Sequence, residues 1–311
     1  MSTASAALPQ AQQDALARAV RLSWWQIGWT VTIVVVMGLA MGGSQAMKTA
    51  WVEDMLGFVP PIAFLIAARL ERRPPSAAFP FGFARVNGLG FFVSAVALAA
   101  VGVLLLWDAA ATLIAREHAT VGSVQLFGRD LWMGWVMIAA QAYALVPPLI
   151  IGRKLLPLGR TLNDKLLHTN ALMNKANWLT GAAGLGGVVG LGMGWWWADA
   201  AAAAIISLDI IQDGFTALRA ATAELVDGAP RELAGAELSD DANALHAALD
   251  RHFPGSTVRL RETGRLIRAE VIGARPPAEP IDLDALWPGK PDSAWRLDQL
   301  SFTPPDARRD D

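Results

Sequence analysis

The sequence predicts a membrane-embedded, all-α bundle of six transmembrane helices followed by a small C-terminal cytoplasmic α+β domain. Three observations carry this. Of the 311 residues, 53% are apolar and only 17% are charged, with a mean hydropathy of +0.34. A soluble domain of average composition carries about 25% charged residues. The deficit is concentrated in the first 220 residues, and from about Ala229 the chain becomes charged and Pro-punctuated. Basic residues also cluster between alternate apolar runs, which fixes an orientation.

Taken in order, residues 1–22 are a small, polar N-terminal segment without the apolar core of a cleavable signal peptide. Insertion is therefore expected to rest on the first span. Six apolar runs follow at 24–46, 49–69, 87–113, 130–152, 170–193 and 195–218. Each approximates the ~20 residues that cross a hydrocarbon core, giving a transmembrane domain over 23–220. Arg69, Arg72, Arg73 and Arg85 flank the second-to-third connection, and Arg153, Lys154, Arg160 and Lys165 the fourth-to-fifth. The odd-numbered loops carry fewer, chiefly Lys48, Arg116 and Arg129. By the positive-inside rule both termini are cytoplasmic.

The C-terminal domain is expected over 221–305. Leu238 to Phe253 reads as an amphipathic helix ending at Pro254-Gly255. Val258–Leu260 and Leu266–Ile272 flank a charged turn at Gly264, a hairpin signal. Leu283–Trp287 suits a short helical turn and Trp295–Phe302 a third strand. Residues 306–311 read as a disordered tail.

Composition excludes several chemistries. The absence of cysteine rules out disulfides, thiolate metal sites and cysteine catalysis. A net charge of −2 gives no case for nucleic acid. No nucleophile–base pair or cofactor motif is present, so an enzyme is not expected. Gly184, Gly186, Gly187, Gly190, Gly192 and Gly194 lack the strand and the Gly-Lys-Ser/Thr of a phosphate loop. Their small-xxx-small spacing predicts close helix packing instead. Trp195-Trp196-Trp197 suits an interfacial belt, while Pro60-Pro61 and Pro147-Pro148 bend or interrupt their helices.

Two polar stretches in the spans carry the candidate chemistry. Glu53 and Asp54 are adjacent acids in the second run, and a carboxylate in lipid is expensive unless it faces a protein interior or a polar pathway. Adjacent helical positions point about 100° apart, so one acid can bind a cation while the other pairs with Lys48 or Lys175. Alternatively, both lie near the surface and solvate a helix end. The fifth run opens with His168 and places Asn170, Met173, Asn174, Lys175 and Asn177 within ten residues. Asn170 shares a face with Asn174, and Met173 with Asn177. These groups either line a substrate path or make structural interhelical hydrogen bonds. Of the further acids, Asp209 lies deepest in its span and is expected to face the interior. The four histidines, His118, His168, His246 and His252, show no shared ligand spacing and are expected at the surface.

Between the second and third spans the chain reads Arg72-Arg73-Pro74-Pro75, then Phe79-Pro80-Phe81-Gly82-Phe83-Ala84-Arg85. This turn, with six spans and a small C-terminal α+β domain, resembles the cation diffusion facilitator family. There the turn is Arg-Pro-Pro, a few residues, then His-Pro-Phe-Gly-His-Gly-Arg. The resemblance implies a homodimer in the inner membrane that moves divalent metal ions such as zinc, manganese or iron out of the cytoplasm in exchange for protons. It also implies a ferredoxin-like cytoplasmic domain. The metal is cargo, and no resident cofactor is expected. The family's transport site takes two residues four apart on the second helix and two on the fifth. Here the second helix offers Thr49 and Glu53, or Glu53 and Gly57, with Asp54 one residue away. The fifth offers Met173 and Asn177, with Asn170 a further candidate. The chain looks closest to a branch with Glu-Asp in helix two and an Asp-rich Met-Asn-Lys-Ala-Asp-Trp stretch in helix five. Relative to that branch, Asn170, Leu172 and Asn177 replace aspartates, and Phe79 and Phe83 replace the turn histidines. A transport site of Glu53, Asp54, Asn177, Met173 and Asn170 is oxygen-rich and suits manganese or iron(II) better than zinc. The alternative is a non-transporting or altered-specificity relative acting as a scaffold or sensor.

Overall fold

A computed structural model describes residues 8–40, 51, 52, 54–115, 123–126, 129–192, 195, 197 to 304. Glu53, Lys48, His118, Gly194, Trp196 and the 306–311 tail lie outside the described residues. The chain is mostly helical, with a small C-terminal sheet. Three long helices, α1 (Gln10–Ala40), α3 (Arg85–Ala115) and α6 (Ala198–Leu225), are each long and apolar enough to cross a membrane by length and composition. Between them stand α2 (Val59–Leu70), α4 (Met133–Leu162) and α5 (Lys165–Gly192).

The second apolar run is not one helix. Residues 51, 52 and 54–56 are helical, Gly57 and Phe58 form a turn, and α2 begins at Val59 with Pro60 and Pro61 in its first turn. Proline is tolerated there because those N–H groups have no intrahelical partner. Pro147, Pro148 and Pro157, by contrast, lie within α4. Between α3 and α4 a short antiparallel hairpin, β1 (Ser123–Leu126) with β2 (Arg129–Trp132), occupies what reads in sequence only as a loop and the start of a span.

The bundle packs through small residues. An added Cβ on Gly102 of α3 would lie 2.8 Å from Ile211 Cγ1, and one on Gly214 of α6 would lie 2.7 Å from the Ala99 backbone. Removing side chains at both points lets the two backbones approach closely. The expected glycine seam on α5 differs at the one position whose surroundings are described. An added Cβ on Gly186 would meet nothing within 4 Å.

At one end of the bundle, Leu16, Phe64, Phe91, Leu155, Leu162 and Leu166 form a buried apolar cluster drawn from α1 to α5. Beyond it lies the C-terminal unit. Helix α7 (Asp240–His252) buries Ala242, Leu245 and Leu249 on one stripe, as its amphipathic spacing dictates. Acids in its first turn and Arg251 and His252 in its last complement the helix dipole. Strands β3 (Thr257–Thr263) and β4 (Leu266–Ile272) pair antiparallel, with Ile267, Ala269 and Val271 of β4 facing inward on a period of two. After the short helix α8 (Leu283–Leu286) and a 3-10 turn (Pro291–Arg296), β5 (Leu297–Thr303) returns parallel to β4, giving the order β3-β4-β5.

Candidate functional site

The polar residues of α5 are distributed by helical geometry. Asn170, Asn174 and Asn177 recur at i, i+4 and i+7 and share a face. Asn170 is fully buried and exchanges two hydrogen bonds with Gln26 of α1. Gln26 Nε2 donates to Asn170 Oδ1 and Asn170 Nδ2 donates to Gln26 Oε1, both at 2.9 Å. Asn174 Nδ2 donates to the Asn170 carbonyl at 2.8 Å and to its Oδ1 at 3.3 Å. Asn170 is thus committed to holding α1 against α5, as buried amides in a bundle must be.

One turn further along, Asn174 and Asn177 meet Asp54. These three, with Gln26, Thr30, Pro147 and other residues of α1 and α4, line a small cavity of about 10 Å3. That is about the space of one water-sized sphere. Gly57 makes the meeting possible, since a Cβ there would lie 3.2 Å from Asn177 Nδ2. The structure therefore brings Asp54 and Asn177 to one place, on two segments 123 positions apart in sequence. Met173 does not join them. It is fully buried in an apolar cluster with Leu98, Val101, Leu105 and Ile210 of α3 and α6. Glu53 lies outside the described residues.

Lys175 points elsewhere. Its Nζ stands 2.7 Å from Asp209 Oδ2 and 3.3 Å from Asp213 Oδ2. It is therefore paired to α6 and not to the acids of the second run, and Asp209 is half-exposed on the outside of the bundle instead of facing inward. His168 is 8% exposed, a correction to the surface position expected of it. His246 is half-exposed, with its Nδ1 3.0 Å from Asp250.

Chemically, the pocket offers one carboxylate and the amide groups of Asn174 and Asn177, all oxygen donors suited to hard or borderline divalent ions. Among the described residues, no group of three His, Cys, Asp or Glu side chains is gathered for a metal. Gln26 escaped the sequence reading. Its signal was present, because an amide within a span must find a partner, but the partner lies 144 residues away.

Three helices long and apolar enough to cross a membrane, with a small cavity lined by polar groups between helices of the bundle, define a membrane protein of helical-bundle type. Residues 27–226 match the model of the cation efflux transmembrane domain, and the chain belongs to the cation efflux family, a family of transporters. Over 210 residues, 66% of this chain, it is 30% identical to the "Zinc transporter ZitB" of Escherichia coli and to its namesake in Shigella flexneri. It is 25% identical over 245 residues, 78% of this chain, to the "Putative transporter MamV" of Paramagnetospirillum magneticum. The match spans 62% of the ZitB proteins' length and 68% of MamV's. The family is the one that the turn at 72–85 resembles.

Proposed function

We propose that this protein exports divalent metal ions across the cytoplasmic membrane in exchange for protons, as a homodimer working by alternating access. The helices α1 to α6, with the broken segment before α2, serve as six spans with both termini cytoplasmic. The C-terminal unit is a ferredoxin-like cytoplasmic domain. Asp54 is the central ligand and proton carrier, with Glu53 beside it and the amide oxygens of Asn177 and Asn174 completing the set. Asn170 and Met173 hold α5 in place around them. The observation that carries this reading is the meeting of Asp54 and Asn177 in one buried cavity of a cation efflux chain. A carboxylate with amide oxygens balances less of a dication's charge than a carboxylate-rich set, which favours manganese or iron(II) over zinc, the ion in the name of the ZitB relatives.

The test is metal uptake and proton release in vesicles carrying the purified protein, with zinc, manganese and iron(II) compared. Glu53→Gln with Asp54→Asn is expected to abolish metal-dependent proton flux while the protein stays folded. Undiminished flux removes these acids from the path. A second reading, a non-transporting or altered-specificity scaffold or sensor, is favoured by the amides at Asn170 and Asn177 and by Phe79 and Phe83 in the turn. Absence of flux for all three metals in the wild type supports it.

A further inference from the structure

The tip of the β3–β4 hairpin leaves the C-terminal unit and enters the end of the helical bundle. Gly264 sits there at φ +62°, and a Cβ on it would lie 2.7 Å from the Ala84 carbonyl oxygen at the start of α3. Glycine satisfies both demands, the left-handed backbone and the close approach. The Gly264 N–H donates to Glu224 Oε1 at the end of α6, at 2.9 Å.

The next residue, Arg265, is 6% exposed and reaches two carboxylates on different segments. Its Nε is 2.6 Å from Asp164 Oδ2 and its Nη1 is 2.8 Å from Glu71 Oε2. Neither carboxylate is incidental. Glu71 is the C-cap of α2, on the segment that runs back to Asp54. Asp164 caps α5, with its Oδ1 accepting from the Leu167 N–H at 2.9 Å, and α5 carries Asn174 and Asn177. Asn87 of α3 donates a further hydrogen bond to Asp164 at 3.1 Å, and Lys165 of α5 pairs with Glu262 on the same hairpin.

We infer that Arg265 is a clasp through which the C-terminal unit sets the separation of the two segments that bring Asp54 and Asn177 together. The inference deepens the cation-site reading above and rests on it for its functional half. The guanidinium suits the task because its planar fork holds two carboxylates at fixed angles, where a lysine would act as a point charge. A buried arginine between the fully buried Asp164 and the partly buried Glu71 also resists partial release, since freeing one partner leaves an unpaired charge in a poorly solvated place. On the Asp164 side an unbroken helix transmits the constraint, and on the Glu71 side α2 carries it as far as the turn at Gly57 and Phe58. Asp164 and Asn177 are 13 residues apart, about 20 Å of continuous α5. Arg265 is thus a positioning residue and touches no cargo.

The absence of cysteine makes the test direct. Spin labels on Arg72→Cys, just past α2, and Thr161→Cys, in the last turn of α4 three residues before the Asp164 cap of α5, report the separation of the two ends in the full chain in lipid nanodiscs. The unaltered clasp is expected to give one narrow distance distribution. Arg265→Met is expected to broaden it and move it outward, with Arg265→Lys intermediate. Manganese and zinc binding, measured by calorimetry on the same proteins, is expected to weaken by about twofold to thirtyfold in Arg265→Met. The effects of Glu71→Gln and Asp164→Asn on that binding are expected to be non-additive. An unchanged distance distribution overturns the clasp. A changed distribution with unchanged metal affinity overturns its control of the site. If the wild type binds neither metal but the distances respond, the clasp stands and the cation-site reading fails. Should Arg265→Met not insert, Glu71→Gln releases only the α2 side and carries the same comparison.

Discussion

Gly57→Ala is the smallest perturbation that separates the candidate site from the fold around it. The added methyl would lie 3.0 Å from the Asp54 carbonyl oxygen and 3.2 Å from Asn177 Nδ2. Both are short for carbon contacts, whose optimum is about 3.5–4.0 Å, so neighbours must give by a few tenths of an ångström. The flexible partner is the Asn177 amide, and it yields first. Overpacking costs about 1–3 kcal/mol, while replacing glycine with alanine in an unstrained backbone returns about 0.4–1 kcal/mol. The cost exceeds the gain by up to about 2.6 kcal/mol, so the thermal midpoint is expected to fall modestly. A metal site is less tolerant, because ligand distances hold to about 0.2 Å. Metal affinity should therefore fall roughly tenfold or more, with only a modest loss of stability. Calorimetric titration with manganese, alongside thermal unfolding of metal-free protein, measures both. Equal affinity in Gly57→Ala and wild type would refute the assignment of Asn177 as a ligand. A large loss of stability would show that Asn177 cannot yield.

Asn177→Asp is expected to tighten divalent-metal binding in the same titration, because it places a second charge at the cavity. Lys175 will not mask the gain, since Asp209 and Asp213 already hold it. Two facing carboxylates repel without metal, so the variant's thermal midpoint should become strongly metal-dependent. Stability should respond to pH through Glu71. Burial raises the Glu71 carboxyl above its ordinary 4.5, and Arg265 opposes that rise. A raised acid stabilises the folded protein fully below its ordinary value and loses that contribution as pH climbs through the shifted one. In Arg265→Gln the opposing charge is gone, so thermal stability should fall over a wider span of rising pH than in the wild type. Reporter fusions after Arg160 and Leu225 should both give cytoplasmic signals, and a periplasmic signal at either site overturns the six-span orientation.

Local rules account for much of the C-terminal unit. The turn at Gly264 sits between two β-rich runs, and β4 occupies the residues its alternation marks, Leu266–Ile272. The amphipathic stripe of α7 is legible for the same reason, because a buried face repeats at short range. In the bundle, Asp54 and Asn177 stood out in the sequence because polar groups are conspicuous among apolar neighbours. Their partners were not. Gln26 finds Asn170, and Lys175 finds Asp209 and Asp213, across the packed seams of helices, and no local period encodes which seams form. The position of His168 depends in the same way on the neighbours of α5. Gly186 shows the limit of spacing motifs, since an added Cβ there would meet nothing within 4 Å, while Gly102 and Gly214 make the close contact from two different helices.

That last contact limits how the molecule can move. Where a glycine on each helix receives the other's backbone or an isoleucine at its base, α3 and α6 have no slack along their shared seam. Sliding one along the other would drive Ile211 and the Ala99 main chain into neighbouring side chains within a single residue's rise, about 1.5 Å. These two contacts resist sliding of α3 along α6. A rearrangement that opens the cavity would then fall where the other helices meet that pair, along a seam in which Met173 packs against Leu98, Val101 and Ile210 and Lys175 pairs with Asp209 and Asp213.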